Sequence, residues 1–392
     1  PDGSGRQVVL SMTRMNAVRA LDEANLTITV EAGCVLQMLQ ETAEKAGFLF
    51  PLSLAAEGSC TIGGNLATNA GGTQVLRFGT ARELCLGLEV VTADGEIWSS
   101  LEGLRKDNTG YDLRDLFIGS EGTLGLITAA TMRLFPRPRA TLTGWAACAT
   151  IAQAVALMRR LRGAFDAELV GFEAMNAASL ALVRRQRAEL RVPTPSDAAW
   201  SVLFDIASPH DEATLHAAAE RALGSACEAG ESSGVFIAQT VAQARALWQV
   251  REAIPLAQSA EGLNIKHDVG VPSSSLADFV AAADDALRGV APGARHITFG
   301  HLGDGNLHYN LQAPDGADPA EFLARFERPA NACVHDVVAR FGGTFSAEHG
   351  IGRLKRHELA ARKPPVAIAM MRAIKAALDP NGLLNPGVML PD

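Results

Sequence analysis

Two prolines in a short basic stretch separate parts of the sequence that have different patterns. Pro136 and Pro138 lie within residues 133–139, and proline interrupts both helices and central strands. Before this stretch, short strands are interspersed with glycine-rich segments. After it, strands alternate with amphipathic helices. The change of pattern predicts a domain boundary, and 392 residues suffice for two or three domains of ordinary size.

The apolar pattern predicts a mixed α+β fold. In the first part we expect strands at 8–12, 26–31, 86–93, 96–99 and 124–134, and helices at 35–46 and 112–118. In the second part we expect strands at 142–148, 169–173, 201–206, 265–271 and 296–299, and helices at 151–162, 176–190, 211–229, 243–260 and 319–341. A last helix is expected at 366–378. The second part is predicted to be a sheet with helices on one face.

Composition excludes several classes of protein. The apolar fraction of 48% is too high for a disordered chain, and the net charge of −8 argues against a nucleic-acid-binding protein. No apolar run is long enough for a transmembrane helix. The six cysteines are widely spaced, and no secretory signal pattern is visible, so we expect free thiols and a cytoplasmic protein.

Residues 55–72 contain five glycines among small side chains, and residues 119–128 form a second such stretch. Backbone with few bulky side chains can approach a phosphate or the edge of a flavin closely. The pattern is neither a Walker loop nor a Gly-x-Gly-x-x-Gly dinucleotide motif. Two ordinary tight turns would have the same composition, so both interpretations stay open on composition alone.

Three histidines and a glutamate lie in two other glycine-flanked segments. His301 and His308 enclose Gly-Asp-Gly-Asn, which forbids a helix and predicts a turn that brings both imidazoles together. Glu348 and His349 lie between small residues further along. Two imidazoles with one carboxylate are a common ligand set for Zn²⁺, Mn²⁺ or Fe²⁺. The alternative is a pair of surface loops that happen to carry histidines.

Taken together, these motifs identify a resemblance. The sequence resembles the vanillyl-alcohol-oxidase-type FAD-binding family and its FAD-linked 2-hydroxyacid dehydrogenase branch, on residues 55–72, 107–113, 120–128, 301–310, 348–352 and 385–387. The resemblance implies a two-part FAD-binding domain and an antiparallel-sheet α+β substrate domain. The boundaries expected are 1–138 for FAD, 139–355 for substrate with the metal site, and 356–392 returning to FAD.

The resemblance also implies residue roles. The residues expected to line FAD are Gly63, Gly64, Asn65, Asn69, Gly71, Gly72, Glu121, Gly122, Ile127 and Asn385. The expected metal ligands are His301, His308 and Glu348, and the expected catalytic base is His349. The expected substrate contacts are Arg251, Lys266 and Asn310. FAD is expected to be non-covalent, because residues 77–79 offer no histidine or cysteine.

Two features qualify these roles. From its pattern alone, Arg251 beside Glu252 is typical of an exposed charge on a helix. Pro255 stands where some branch members place a hydroxyl-bearing residue, so hydroxyglutarate is not singled out as the substrate.

The activity implied by the resemblance is FAD-dependent, metal-assisted oxidation of a D-2-hydroxyacid to the 2-oxoacid. The substrate would be of the D-lactate, glycolate or D-2-hydroxyglutarate type. A separate acceptor, namely an electron-transfer flavoprotein, a cytochrome or a quinone, would reoxidise the flavin. The chain could form a homodimer and could associate peripherally with a membrane.

Two alternatives remain at this point. The metal residues alone would also suit a flavin-free metal hydrolase that activates water. The sequence begins at Pro1 rather than Met, and nothing in it matches the β-α-β unit that opens the family's FAD-binding domain. We therefore also expect an incomplete FAD site, and an inactive form that binds FAD poorly is the third hypothesis.

Overall fold

A computed structural model describes residues 5, 7–193 and 198–391, so Pro1 lies outside the described residues. The chain forms two compact units. The first unit comprises Pro1–Gly72, Phe78–Arg137 and Glu348–Asp392, and the second comprises Thr73–Arg77 and Pro138–Ala347. The sequence predicted boundaries after residues 138 and 355, whereas the units change after 137 and 347. The assignment of these parts to flavin and to substrate stays a prediction.

The strands are numbered in chain order. Within the described residues they are β1 (Val18–Asp22), β2 (Thr27–Glu31), β3 (Phe48–Leu49), β4 (Cys85–Val91), β5 (Ile97–Ser100), β6 (Leu126–Arg133), β7 (Phe135–Pro136), β8 (Ala140–Cys148), β9 (Leu169–Asn176), β10 (Trp200–Ser208), β11 (Gly234–Ile237), β12 (Asn264–Ile265), β13 (Asp268–Gly270), β14 (Arg295–His301) and β15 (Asn306–Gln312).

Helices follow the same order. In the described part of the chain they are α1 (Leu36–Lys45), α2 (Ile62–Ala67), α3 (Val75–Phe78), α4 (Ala81–Leu84), α5 (Arg114–Phe117), α6 (Ile151–Phe165), α7 (Ala177–Gln186), α8 (Glu212–Glu228), α9 (Val241–Ala260), α10 (Leu276–Val290), α11 (Pro319–Arg340), α12 (Arg356–Arg362) and α13 (Pro365–Leu378). None of these helices combines the length and apolar character needed to cross a membrane.

The first unit is built on an antiparallel sheet in the order β1-β2-β6-β4-β5. Apolar side chains that alternate along β2 and β4 bury one face, as at Ile28, Val30, Leu88 and Val90. Helix α1 adds Leu36 and Leu39 to the buried residues of this unit, and Gly47, with a φ of +85° that suits glycine, follows its C-cap. The predicted strand at 26–31, helix at 35–46 and hairpin at 86–99 are present.

The second unit is built on a larger antiparallel sheet in the order β11-β8-β10-β9-β14-β15-β12, with β13 also paired to β15. The predicted one-sided arrangement of helices is wrong. Helices α6, α8, α10 and α11 bury one face of the sheet, whereas α7 and α9 bury the other. Strand β9 shows the reason, because Phe172 and Met175 point into opposite cores and both are buried.

Two predicted strands differ from the structure. Residues 8–12 form no strand, and Val8 and Val9 are 91% and 71% exposed. The predicted strand at 265–271 is interrupted between β12 and β13. There the backbone N–H of His267 donates to Oδ1 of Asn310 at 3.0 Å, so a side-chain amide replaces a backbone partner.

Candidate active site

The glycine-rich segment contains a short helix, α2, which was not among the helices predicted from the sequence. The Oγ1 atom of Thr61 caps this helix by accepting from the backbone N–H of Gly64 at 3.4 Å. A Cβ placed on Gly63 would lie 2.6 Å from Cβ of Ala32. On Gly64, outside its own helix, a Cβ would meet only Oγ1 of Thr61, at 3.3 Å. Packing therefore requires glycine at position 63, whereas position 64 opens onto free space.

That free space is a cavity of about 360 Å³ within the first unit. It is lined by Leu10, Met12, Thr13, Ala32, Thr61, Gly63, Gly64, Ala67, Ser120, Gly122, Gly125, Leu126 and Ile127. Small-molecule sites have volumes of roughly 300–1,000 Å³ and mostly apolar walls. The lining combines glycines and apolar side chains with three hydroxyl-bearing residues, Thr13, Thr61 and Ser120. Of the residues predicted to line FAD, this cavity includes Gly63, Gly64, Gly122 and Ile127.

The other residues predicted to line FAD do not line this cavity, and several of them have evident structural contacts. Asn69 accepts at Oδ1 from Oγ1 of Thr80 and from the backbone N–H of Arg82, at 2.8 and 3.0 Å. Gly72 has a φ of +98°, and a Cβ there would lie 2.2 Å from the backbone oxygen of Ser53. Their assignment to FAD stays a prediction, as does that of Asn65 and Gly71.

Glu121 joins two distant segments of the first unit. Its carboxylate accepts from the backbone N–H groups of Ile351 and Gly352 at 2.7 and 2.8 Å. Its backbone oxygen accepts from Nδ2 of Asn385 at 2.7 Å, and both Glu121 and Asn385 have positive φ angles. These bonds hold the C-terminal segment beside the loop that carries Gly122. The predicted flavin residues Glu121 and Asn385 thus have a structural role that the sequence did not indicate.

The two predicted imidazole ligands lie on a hairpin of the second unit. Strand β14 ends at His301, and β15 brings His308 opposite Phe299. The intervening turn uses Gly305, whose φ of +87° favours glycine. The ring centroids of His301 and His308 are 6.0 Å apart. The turn therefore brings the two side chains together, as the sequence predicted.

The third predicted ligand, Glu348, follows directly after Ala347, the last residue of the second unit. Backbone hydrogen bonds join Thr344 to Gly270, and the N–H of Ala347 donates to the backbone oxygen of Asp268 at 3.3 Å. These bonds hold the segment before Glu348 against β13. Glu348 itself belongs to the first unit, so its place beside His301 and His308 stays a prediction. Two nitrogens and one oxygen suit a divalent transition metal that keeps open coordination positions.

Glu173, on β9, is the residue that sequence reasoning missed. Its side chain is fully buried, and Oε1 lies 2.5 Å from Nδ1 of His301. Its Oε2 accepts from Nε of Arg251 at 2.7 Å. Burial alone would raise the pKa of this carboxyl, but His301 and Arg251 outweigh burial and hold the pKa below its usual range. A glutamate inside an apolar strand was the available signal, since buried charges need partners.

Arg251 is not an exposed helix charge, contrary to what its pattern alone suggested. It lies on α9 and is only 7% exposed. Its guanidinium carbon is 4.9 Å from the ring centroid of Phe299, which gives the planar group a stacking surface. Among the contacts of the described residues, its hydrogen bond to Glu173 uses Nε. The two terminal nitrogens can therefore serve an incoming carboxylate.

The remaining predicted residues differ in exposure. Asn310 is buried, and its Nδ2 donates to Oε1 of Gln258 at 2.9 Å, so its amide is already oriented by the protein. Lys266 and His349 are exposed. His349 directly follows the predicted ligand Glu348 in the chain. The roles of these residues in substrate binding and proton transfer stay predictions.

Comparison with known proteins decides the family. Residues 137–389 match the family of FAD linked oxidases, C-terminal domain, and residues 2–100 match the FAD binding domain family. The chain is 38% identical over 390 residues to D-2-hydroxyglutarate dehydrogenase, mitochondrial, of Danio rerio, covering 98% of this chain and 70% of that protein. The corresponding protein of Bos taurus is 40% identical over 389 residues, covering 98% and 69%. The chain belongs to the FAD-linked oxidase family.

The resemblance to FAD-linked dehydrogenases is thus confirmed, as is the prediction of a flavin-linked oxidoreductase. A bacterial relative, D-2-hydroxyglutarate dehydrogenase of Xanthomonas citri pv. viticola, is 38% identical, covering 97% of this FAD-linked oxidase and 79% of the relative. p-Cresol methylhydroxylase with substrate bound shares the fold, with a TM-score of 0.72 at 17% identity, covering 97% of this chain and 79% of that one. The predicted α+β fold class is therefore also confirmed.

The matched FAD binding domain indicates FAD as the cofactor of this FAD-linked oxidase. A divalent metal rests on the chemistry of the side chains described above and stays a proposal. The animal relatives carry the word mitochondrial in their names, so the prediction of a cytoplasmic location is not confirmed. All six cysteines are free in the structure, as expected.

Proposed function

We propose that the chain catalyses the FAD-dependent oxidation of a D-2-hydroxyacid to the 2-oxoacid, assisted by a divalent metal. One observation carries the proposal. A fully buried carboxylate, Glu173, joins the proposed metal ligand His301 to a buried arginine, Arg251. A hydroxyacid presents a hydroxyl group and a carboxylate on adjacent carbons, and a metal and an arginine are the groups that recognise these two functions. The relatives named D-2-hydroxyglutarate dehydrogenase support the same substrate class.

The residues divide the work between binding and proton transfer. The terminal nitrogens of Arg251 bind the substrate carboxylate in a bidentate pair, which fixes the orientation of C2. Lys266 adds attraction for an anionic substrate, and Asn310 supplies a pre-oriented amide. His349 takes the hydroxyl proton, which an imidazole can do near neutral pH.

Two bound groups supply chemistry that side chains lack. A Zn²⁺, Mn²⁺ or Fe²⁺ ion held by His301, His308 and Glu348 would polarise the substrate hydroxyl. FAD would accept the hydride from C2, and a separate acceptor would take the electrons onward. The hydroxyacid would thus leave as the 2-oxoacid, with its hydride passed to the cofactor and its hydroxyl proton on His349.

Reduction of the flavin tests this proposal directly. The purified chain is loaded with FAD and, in turn, with each of the three metals. It is then mixed without oxygen with D-2-hydroxyglutarate, D-lactate or glycolate. We expect one of these acids to bleach the visible absorbance of the oxidised flavin, because hydride transfer from C2 reduces it. L-2-Hydroxyglutarate serves as the enantiomer control.

A chain that binds FAD and metal but whose flavin none of the three acids reduces would overturn the proposal. Ester hydrolysis that survives removal of flavin would instead favour the metal hydrolase. A panel with an artificial acceptor dye then ranks the acids by kcat/KM and identifies the side chain that the site prefers.

A further inference from the structure

We propose that Glu173 is a positioning residue that orients both His301 and Arg251, so that the metal site and the carboxylate site share one anchor. The inference rests on the proposed function, because it concerns how the same site is assembled. Glu173 lies in β9, opposite His301 of β14 in the strand register, and faces Arg251 of α9. Each carboxylate oxygen serves one of the two partners, at 2.5 and 2.7 Å.

Stability alone is a poor explanation for this arrangement. Glu173 is 0% exposed and the side chain of Arg251 is 9% exposed, so both charges have lost most of their hydration. Buried ion pairs commonly stabilise a fold no better than apolar residues of the same size, because desolvation offsets the attraction. What an apolar pair could not supply is orientation. Glu173 therefore acts by fixing the orientation of its two partners, His301 and Arg251.

The consequence for His301 is a defined tautomer. An ionised carboxylate only accepts hydrogen bonds, so the ring nitrogen that faces it, Nδ1, must carry the hydrogen. The other nitrogen, Nε2, then has its lone pair available for a metal ion. Metal-binding histidines commonly have such a carboxylate behind them, which fixes the ring and increases its basicity as a ligand.

For Arg251, the consequence is that one defined edge of its guanidinium group is available to a ligand. The bond from Nε to Glu173 and the contact with Phe299 restrain the guanidinium plane. This leaves the edge formed by the two terminal nitrogens for a bidentate carboxylate. Without Glu173, Arg251 would have to lose several rotamers when substrate binds, and binding would weaken accordingly.

The substitution Glu173→Gln distinguishes this role from a merely space-filling one. An amide has one accepting oxygen and one donating nitrogen, whereas both partners of Glu173 donate. Glutamine can therefore satisfy only one of them and presents N–H groups to the other. If it keeps Arg251, His301 must move its hydrogen to Nε2, where the lone pair is needed. If it keeps His301, Arg251 is released.

Asp205→Asn is the matched control. Asp205 is a carboxylate on the neighbouring strand β10 and accepts from Oγ1 of Thr143 and Nε1 of Trp248, at 2.6 and 2.9 Å. Its hydrogen bonds within the described part of the chain go to neither His301 nor Arg251. Asparagine can keep both bonds, because the hydroxyl of Thr143 can accept as well as donate. The control thus removes a nearby charge without disturbing the anchor.

Two measurements test the inference without flavin or turnover. Nitrogen NMR of the metal-free chain with labelled histidine reports which ring nitrogen of His301 carries hydrogen, with His301→Gln used to assign the signal. Competition with a coloured chelator reports the dissociation constant for zinc. We expect an Nδ1–H tautomer in the wild type. We also expect zinc affinity to fall roughly 10- to 100-fold in Glu173→Gln and less than about threefold in Asp205→Asn.

The outcomes separate this inference from the proposed function. An Nε2–H tautomer in the metal-free wild type would overturn the inference, and this result does not depend on whether Glu173→Gln folds. A folded Glu173→Gln chain with wild-type zinc affinity and an unchanged tautomer would also overturn it. If the tautomer and the zinc affinities are as expected but the wild type oxidises no hydroxyacid, the proposed function alone is contradicted.

Discussion

Replacing Gly64 with alanine separates two uses of glycine in the segment that carries α2. Gly63 and Gly64 are consecutive, yet their surroundings differ. A Cβ on Gly63 would lie 2.6 Å from Cβ of Ala32 and 3.0 Å from its backbone oxygen. Gly64 lines the cavity of about 360 Å³, and a Cβ there would touch only Oγ1 of Thr61, which lines the same cavity. Glycine is therefore needed at position 63 for packing against Ala32, and at position 64 to keep the cavity open.

The two substitutions, Gly64→Ala and Gly63→Ala, are expected to change the free energy of unfolding in opposite directions. Alanine in place of a helical glycine restricts the unfolded chain, so Gly64→Ala should raise the free energy of unfolding by about 0.5–1 kcal/mol. The contact at 3.3 Å offsets a few tenths of this gain. Gly63→Ala forces a methyl group against the side chain and backbone of Ala32 and should lower the free energy of unfolding by about 1–3 kcal/mol. If the cavity holds flavin, the Gly64 methyl group costs FAD binding a similar 1–3 kcal/mol, roughly 5- to 150-fold in Kd.

Two assays on the same preparations suffice. Urea unfolding without flavin gives the stability of each variant, and quenching of flavin fluorescence on titration gives the Kd for FAD. We expect Gly64→Ala to fold as well as the wild type and to bind FAD more weakly. Wild-type FAD affinity in Gly64→Ala would refute the placement of flavin in this cavity. A loss of stability in Gly64→Ala as large as in Gly63→Ala would refute the distinction between the two glycines.

Three further predictions concern the second unit. Burial raises the pKa of Asp205 to about 6, so its contribution to stability is present below about pH 4 and is lost as pH rises through 6. The free energy of unfolding of Asp205→Asn, measured in urea, should therefore rise relative to that of the wild type by about 1–3 kcal/mol between pH 4 and pH 8. Zinc at a hundred times its Kd should raise the unfolding free energy of the wild type by about 2.7 kcal/mol and leave that of His308→Ala unchanged, and a chelator should reverse the effect. In Arg251→Lys, one ammonium group cannot both donate to Glu173 and bind a carboxylate bidentately, so the KM for the hydroxyacid should rise roughly 10- to 100-fold. A KM within twofold of the wild-type value would contradict the role of Arg251.

Helices with clear ends were predictable from local sequence. Helix α6 begins where Thr150 accepts from the backbone N–H of Gln153 and Gln153 bonds back to it, which is a capping box. Helix α9 begins at Thr240, whose side chain accepts from the backbone N–H of Gln243, and Oε1 of Gln243 accepts from the backbone N–H of Gln239. Such signals act within four residues, so no knowledge of the tertiary fold is needed. The predicted helices at 151–162 and 243–260 lie within the observed ones.

Helix α10 was missed although its pattern is strong. Leu276, Phe279, Val280, Ala283 and Leu287 follow the 3.6-residue period and are all buried. A short 3₁₀ turn at Ser273–Ser275 precedes α10, and it contributes no side-chain cap that would mark the start of the helix. The two-sided burial of the sheet was missed for a different reason. Which face a helix covers depends on how the strands pair, and this is not a local property.

The candidate site shows the same division between local and non-local information. The turn between His301 and His308 could be predicted because its glycines act within a few residues. The anchor could not, because Glu173 lies 78 residues from Arg251 and 128 residues from His301 along the chain. Its only local sign is a charge in the apolar strand β9, and such a charge states that partners exist without naming them. Since the register of β9 with β14 sets Glu173 opposite His301, a shift of one residue in that pairing would turn Glu173 to the other face of the sheet. The orientation of the proposed metal ligand therefore depends on strand pairing as much as on the ligand itself.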